Sequence, residues 1–190
     1  MTIAFHSSPN LAEKVREQVN AHTAADEIIQ GRYWENGKGC FIGCIAHGSD
    51  PAVVEQLTGF PIMLTKIAES IFEGLPNDIA KAFPQRIINA PRIGADLSLV
   101  SWKFLHWLVD DVLTEFADDK TRAACSPALE IVAAKLRGEE VSFDAAAYAA
   151  RAAAYAADAA ADAYAAADAA RAAARIRQAD KLVEILEQAQ

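Results

Sequence analysis

The chain has 190 residues, which is enough for one domain with a substantial hydrophobic core. Its formal net charge is −8, and its lysine and arginine residues are scattered instead of clustered. Because a phosphate backbone is bound by a basic stripe, this composition argues against a nucleic-acid partner.

Neither a targeting segment nor a membrane span is predicted. The first ten residues carry no basic n-region and no apolar stretch, so we expect no secretion signal. The alanine-rich segment near the C-terminus is long, but charges such as Arg151 and Asp158 interrupt it and argue against burial in hydrocarbon. Three cysteines without an export signal are typical of a reducing compartment, so we expect a cytoplasmic protein that binds no membrane.

Apolar residues at helical spacing predict that most of the chain is α-helical. Proline or a capping side chain marks most predicted starts, and glycine marks several ends. The predicted helices span residues 9–30, 51–58, 61–74, 77–84, 86–89, 98–116 and 120–137. The chain beyond residue 138 lacks glycine and proline, which predicts one long helix over residues 143–188. The sequence therefore predicts an all-α, multi-helix bundle.

One irregular segment, residues 31–49, interrupts this helical pattern. It is rich in glycine, and Asn36-Gly37 within it is a turn signal. We predict either an irregular loop here or a short hairpin that pairs Arg32–Trp34 with Cys40–Ile42.

The segment over residues 145–174 is dominated by alanine, which has the highest intrinsic helix propensity. Its polar residues follow one stripe as far as Asp162 and continue from Tyr164 on the opposite face. This helix must therefore change its packing partner, kink or pack against a second copy. We predict a helical head over residues 1–138 and an alanine-rich helix over residues 139–190, which packs on the head or forms a homo-oligomer.

The segment Gly37–Gly48, with the sequence GKGCFIGCIAHG, is the strongest candidate for a site because backbone freedom and reactive side chains coincide there. Cys40, Cys44 and His47 are ligands that zinc accepts. A fourth ligand could come from Cys125, His6, His22 or His106, none of which is fixed by its spacing. The same three residues are alternatively candidates for catalysis by a reactive thiol, because a nearby cation such as Lys38 stabilises a thiolate. The identity of any cofactor stays open.

A third interpretation of this segment is anion binding, since Gly37-Lys38-Gly39 can present amide groups and a positive charge together. The segment is neither a P-loop nor a dinucleotide-binding fingerprint. A small anionic or nucleotide-like ligand here would contact Trp34, Lys38, Gly39, Cys40, Gly43, Cys44 and His47. In the remaining interpretation the glycines make turns, and the two thiols are buried as small apolar side chains.

A second constellation lies in the predicted helix 98–116, where His106 and Asp110 are four residues apart and can pair. Glu69 and Glu73 have the same spacing on an earlier helix. If these two helices faced each other, they would form a carboxylate–histidine site, to which His106 and Asp110 would contribute ligand contacts. The alternative is that both pairs are solvated surface groups.

Three motifs resemble an uncharacterised family of bacterial and prophage-borne proteins. The first, Gly31–Cys44, follows the pattern Gly-x-Tyr-Trp-Glu-x-Gly-Lys-Gly-Cys-x-x-Gly-Cys, and the others are Phe72–Pro76 and Phe83–Arg86. The resemblance covers roughly residues 10–115, and the alanine-rich segment is similar to tails of phage and bacterial proteins, some of them described as immunity proteins. The resemblance implies an accessory or anti-defence role in a mobile element, and it identifies no catalytic residue.

We therefore expect a non-catalytic binding protein with a small anionic ligand at Gly37–Gly48, beside the helix that carries His106 and Asp110. A protein partner is a further expectation. Two alternatives stay open: an enzyme that uses Cys40 or Cys44 with His47, and a structural protein that oligomerises through its alanine-rich helix.

Overall fold

The computed structural model describes residues 2–115, 119–142, 144–145, 147–149, 151 and 168–190. These residues are mainly α-helical, with one small two-stranded sheet, which confirms the predicted class. The chain divides into two compact units, Met1–Ser101 with Arg175–Gln190 and Trp102–Ala174. We call the first of these the main unit.

The described chain begins with a short turn, Ala4–Ser7, which has left-handed backbone angles at Phe5 and His6. The helices that follow are α1 (Pro9–Ala24), α2 (Phe41–Ala46), α3 (Pro51–Thr58), α4 (Ile62–Gly74), α5 (Asn77–Asn89), α6 (Val100–Glu115), α7 (Asp119–Leu136) and α8 (Asp168–Glu187). Strands β1 (Trp34–Glu35) and β2 (Lys38–Gly39) lie between α1 and α2.

The two strands form a tight hairpin around Asn36-Gly37. Trp34 lies opposite Gly39, and Glu35 lies opposite Lys38. Both turn residues have a positive φ, 52° at Asn36 and 81° at Gly37, which is the requirement of a type I′ turn. The turn was predicted correctly, but the predicted register was wrong, because Cys40 is the N-cap of a helix and not part of the second strand.

The two short helices predicted on either side of Pro84 form the single helix α5, with this proline inside it. Pro84 lacks the N–H that would bond the carbonyl one turn earlier, which normally favours a break. Phe83, Ile87 and Ile88 are fully buried on both sides of the proline. The burial of this apolar face therefore offsets the missing hydrogen bond.

Helix α2 lies inside the core of the main unit. All of its residues except the last, Ala46, are buried, and the ring of Phe41 packs against Phe83 of α5 with centroids 6.3 Å apart. Helices α1, α3 and α4 and strand β2 all contact it. The segment that carries the predicted site is therefore a buried helix preceded by a hairpin, and not an open loop.

The C-terminal end of α8 belongs to the main unit. Leu182 and Leu186 are fully buried, and Arg86 Nη2 of α5 lies 2.7 Å from Asp180 Oδ1 of α8. The Asp96 N–H donates a hydrogen bond to the Gln190 carbonyl at 2.8 Å. The last sixteen or so residues thus pack as part of the same hydrophobic core as the first hundred.

Most of the alanine-rich segment, residues 152–167, lies outside the described residues. The predicted change of face between Asp162 and Tyr164 falls there. Among the described helices, none is long and apolar enough to cross a membrane.

Candidate functional site

Two glycines allow the hairpin to lie directly against α2. A Cβ atom at Gly43 would lie 1.3 Å from the carbonyl oxygen of Tyr33, and one at Gly39 would lie 2.1 Å from the same atom. No side chain fits at such distances, so both positions require glycine for close packing of the backbone. The glycines at these two positions serve packing.

The two thiols of this segment are buried. Cys40 is 1% exposed and Cys44 is fully buried, with its Sγ donating to the Gly39 carbonyl at 3.2 Å. Burial raises the pKa of Cys40 far above its ordinary value, and Glu69 raises it further. Burial also raises the pKa of Cys44 to about 12. Both side chains are therefore protonated thiols near neutral pH, which are poor nucleophiles.

Cys40 lies beside two glutamates of α4. Glu69 Oε2 accepts the Ile42 N–H in the first turn of α2 at 3.1 Å, and Glu73 Oε2 accepts the Gly31 N–H at 2.8 Å. Burial raises the pKa of Glu69. The ligand atoms of Cys40, Glu69 and Glu73 lie within 4.8 Å of one another, whereas no such group joins Cys40, Cys44 and His47 within the described part of the chain. Because both carboxylates accept backbone N–H groups, they connect α4 to the segment 31–42.

His47 takes part in a different cluster, which is accessible from solvent. It is the C-cap of α2 in the left-handed conformation, with a φ of 50°. Its Nε2 atom lies 2.9 Å from Nε2 of His22 on α1, and His22 Nδ1 lies 2.7 Å from Glu27 Oε2. Trp34 stacks on the His47 ring with centroids 4.4 Å apart and an interplanar angle of 18°. We call Glu27, His22 and His47 the imidazole relay.

The hydrogen bonds of the imidazole relay fix the positions of its protons. An ionised carboxylate only accepts, so His22 Nδ1 carries the proton that is donated to Glu27. When the His22 ring is neutral, its Nε2 is an acceptor, and His47 Nε2 supplies the proton between the two rings. His47 Nδ1 is left as the outer end of the relay.

The His47 ring favours its neutral form. Partial burial lowers the pKa of His47, and repulsion by the neighbouring His22 lowers it further, while Glu27 opposes both effects. At the level of the whole residue His47 is nevertheless exposed. It therefore presents a neutral imidazole to solvent near pH 7, which is the form that accepts a proton or binds a metal.

Sequence reasoning singled out His47 and Trp34, offered His22 only as one of several possible fourth zinc ligands, and missed Glu27. His22 comes near the end of α1, twenty-five positions before its partner in the chain, and Glu27 follows in the connection to the hairpin. A histidine and a glutamate five residues apart at a helix C-terminus are a weak signal. Only the packing of α1 against α2 brings the two imidazoles together.

Lys38 and the loop amides contribute less than predicted to this cluster. Lys38 pairs in register with Glu35, so strand alternation places both on the face of the hairpin opposite Trp34. The Gly39 N–H donates to the Glu27 carbonyl at 3.0 Å, and the Cys40 N–H donates to the Arg32 carbonyl at 2.8 Å. These amides serve the fold and are not free for an anion.

His106 and Asp110 belong to the unit Trp102–Ala174. Both residues are described, Asp110 as exposed, and no hydrogen bond or ion pair joins their side chains among the described contacts. Glu69 and Glu73 belong to the main unit. The carboxylate–histidine site that would combine the two pairs stays a prediction.

Comparisons with known proteins give no independent indication of family. The chain matches no protein-family model, no curated protein and no solved structure. Its function must therefore be argued from the residues of the site itself.

Proposed function

We propose that this protein is a non-catalytic binding protein that takes a small oxyanion ligand at His47. The observation that carries the proposal is the imidazole relay, with its contacts of 2.7 Å and 2.9 Å ending at an exposed ring. The pair of Glu27 and His22, whose side chains are 33% and 12% exposed, needs no second, exposed histidine for its hydrogen bond. The outer imidazole is therefore best explained as a contact group for a ligand.

The relay suits an oxyanion such as a phosphate monoester or a carboxylate. A hydrogen bond between His47 Nδ1 and a ligand oxygen needs one proton, which a phosphate monoanion supplies or which His47 takes up on binding. When the imidazole carries the proton, the bond is charge-assisted and stronger than a neutral one. His22 and the stacked Trp34 hold the ring in place, so little side-chain freedom is lost on binding.

The two alternatives from the sequence have less support. An enzyme that uses Cys40 or Cys44 would need a thiolate, and burial disfavours one at both positions. Oligomerisation through the alanine-rich helix predicted over residues 139–190 remains a second proposal, because residues 152–167 lie outside the described residues. The arrangement of the helices as a multi-helix bundle likewise remains a proposal. An accessory role in a mobile element rests on the resemblance alone.

Isothermal titration calorimetry with inorganic phosphate and with adenosine monophosphate tests the proposal. His47→Ala should weaken binding about tenfold or more, which is the loss expected for one hydrogen bond to a charged group. His6→Ala is the matched control and should bind as the wild type does, because His6 Nε2 contacts the backbone carbonyls of Glu55 and Gln56. Wild-type affinity in His47→Ala, or no binding of either probe at millimolar concentration, would contradict the proposal.

A further inference from the structure

We infer that His22 and His47 bind a divalent transition-metal ion of the zinc class through their Nε2 atoms, with Glu27 as the carboxylate that orients His22. This inference deepens the proposed function, because the metal ion would supply the positive charge that attracts the oxyanion. Only the binding of the oxyanion rests on the proposed function. The binding of the metal itself can be tested separately.

The arrangement around His22 is the one that metal-binding histidines have in proteins. Such a histidine usually donates its second ring N–H to a carboxylate, which fixes the tautomer and raises the basicity of the ligating nitrogen. His22 donates from Nδ1 to Glu27 at 2.7 Å, and its side chain is only 12% exposed. Its Nε2 lone pair therefore has a fixed direction.

His47 supplies the second nitrogen. Its Nε2 atom already lies 2.9 Å from that of His22, and its ring is accessible from solvent. Two imidazoles are ligands that suit zinc, copper, nickel and iron. A single proton now fills the space between the two nitrogens, and a metal ion would replace it.

The space between the rings has to open for an ion. Zinc–nitrogen bonds of about 2.0–2.1 Å at a tetrahedral angle place two ligand nitrogens roughly 3.3 Å apart. The ring centroids are 5.2 Å apart, so the nitrogens face each other directly and one ring must also turn. His47 can turn because it lies on the exposed side, although the turn breaks its stack on Trp34, whereas Glu27 holds His22.

A metal ion would resolve an electrostatic difficulty of the proposed function. The chain has a net charge of −8, and the Glu27 carboxylate lies within the relay, so a positive charge added there would strengthen the binding of an anion. Two protein ligands leave the remaining coordination positions of a zinc ion open for water or an oxyanion. Metal binding at Nε2 also leaves the proton of neutral His47 on Nδ1, which faces away from the metal.

Calorimetric titration of metal-free full-length protein with Zn²⁺ is the test. We expect one site in the wild type and a loss of affinity of about tenfold or more in His22→Ala and in His47→Ala. Glu27→Gln should weaken the site by roughly 10–100-fold, as is typical for a carboxylate behind a ligating histidine. His6→Ala should bind Zn²⁺ as the wild type does, because His6 Nε2 contacts the backbone carbonyls of Glu55 and Gln56 instead.

The absence of Zn²⁺ binding by the wild type would overturn the inference, and so would unchanged affinity in both His22→Ala and His47→Ala. Binding that is lost in Cys40→Ala but kept in His47→Ala would move the metal to Cys40, Glu69 and Glu73 and would also overturn it. If a variant fails to fold by circular dichroism, the Co²⁺ spectrum of the wild type decides. A thiolate charge-transfer band contradicts histidine ligation, and d–d bands without it support histidine ligation.

The same titrations distinguish the inference from the proposed function. Zn²⁺ binding that depends on both histidines, without phosphate binding to the zinc-loaded protein, supports the metal site and contradicts the oxyanion. Phosphate binding to a protein that has no affinity for Zn²⁺ supports the proposed function and contradicts the metal site.

Discussion

Gly43 is the residue whose size most directly controls the geometry of the site. The hairpin that carries Trp34 lies on α2 at this position, and Trp34 in turn stacks on His47. A methyl group at Gly43 would overlap the Tyr33 carbonyl, which is backbone and cannot rotate away. The position of Trp34 on the His47 ring therefore depends on the absence of a side chain at Gly43.

We predict that Gly43→Ala destabilises the protein by about 1–3 kcal/mol or more, the range for overpacking a tightly packed core. Gly48→Ala is the matched control, because the nearest atom to a Cβ there, the Ala46 carbonyl oxygen, is 3.9 Å away. Chemical denaturation followed by circular dichroism measures both. Equal stability of the two variants would show that the hairpin can move off α2 at little cost.

The thiols give a second prediction at this scale. Because burial raises the pKa values of Cys40 and Cys44, we expect both to react with iodoacetamide far more slowly than free cysteine near neutral pH. In denaturant all three cysteines of the chain should react at the rate of the free amino acid. Peptide mapping by mass spectrometry assigns the labels. Rapid labelling of Cys40 or Cys44 in the native protein would favour the alternative of a thiol enzyme.

At the scale of elements, α2 is a short helix that side chains from two other helices hold at both ends. Glu69 of α4 accepts the Ile42 N–H in its first turn. Gln18 of α1 donates from Nε2 to the carbonyls of Cys44 and Ile45 in its last turn, at 2.7 Å and 2.9 Å. An isolated helix of this length is not stable in water, so these contacts and its burial define it.

We predict that Gln18→Leu destabilises the protein by about 1–3 kcal/mol, because two partly buried carbonyls lose their donor. The same change should weaken ligand binding, since His47 is the C-cap of α2. Gln56→Leu on α3 is a suitable control, because Gln56 is exposed and its side chain makes no hydrogen bond among the described contacts. Denaturation midpoints of the two variants provide the comparison, and identical midpoints would contradict the role of Gln18.

What the sequence reveals at this scale depends on how local each signal is. The sequence predicted the hairpin turn at Asn36-Gly37 and the helix starts at Pro9 and Pro51, because each is determined by residues that are close together in the chain. The burial of α2 and the meeting of His22 with His47 were not, because both depend on contacts between distant segments. Glycine and cysteine in one segment indicate a reactive loop and a tightly packed core equally well.

At the scale of the whole molecule, the end of α8 is part of the core of the main unit. A Cβ at Gly74 of α4 would lie 2.5 Å from Nε of Arg175. The first of the C-terminal residues in the main unit therefore also lies close to α4. Leu182 and Leu186 are fully buried. The C-terminal residues should therefore fold cooperatively with the first hundred.

We predict that Leu186→Ala lowers the free energy of unfolding by about 2–5 kcal/mol, the usual cost of truncating a buried leucine. Glu187→Ala on the same turn should have little effect, since Glu187 is exposed. A chain that ends at Ala174 should expose the apolar surface beneath α8 and aggregate. Gel filtration and near-ultraviolet circular dichroism test this, and a soluble, native-like monomer would contradict it.

The central claim is that the imidazole relay is the binding centre of this protein. The most direct measurement is a long-range proton–nitrogen correlation spectrum of the histidine rings, recorded during a Zn²⁺ titration. The chain has four histidines, so His6 and His106 serve as internal controls. The account predicts that the Nε2 resonances of His22 and His47 shift together and saturate, while those of the other two stay in place. Unmoved resonances for His22 and His47, or equal shifts at all four histidines, would contradict it.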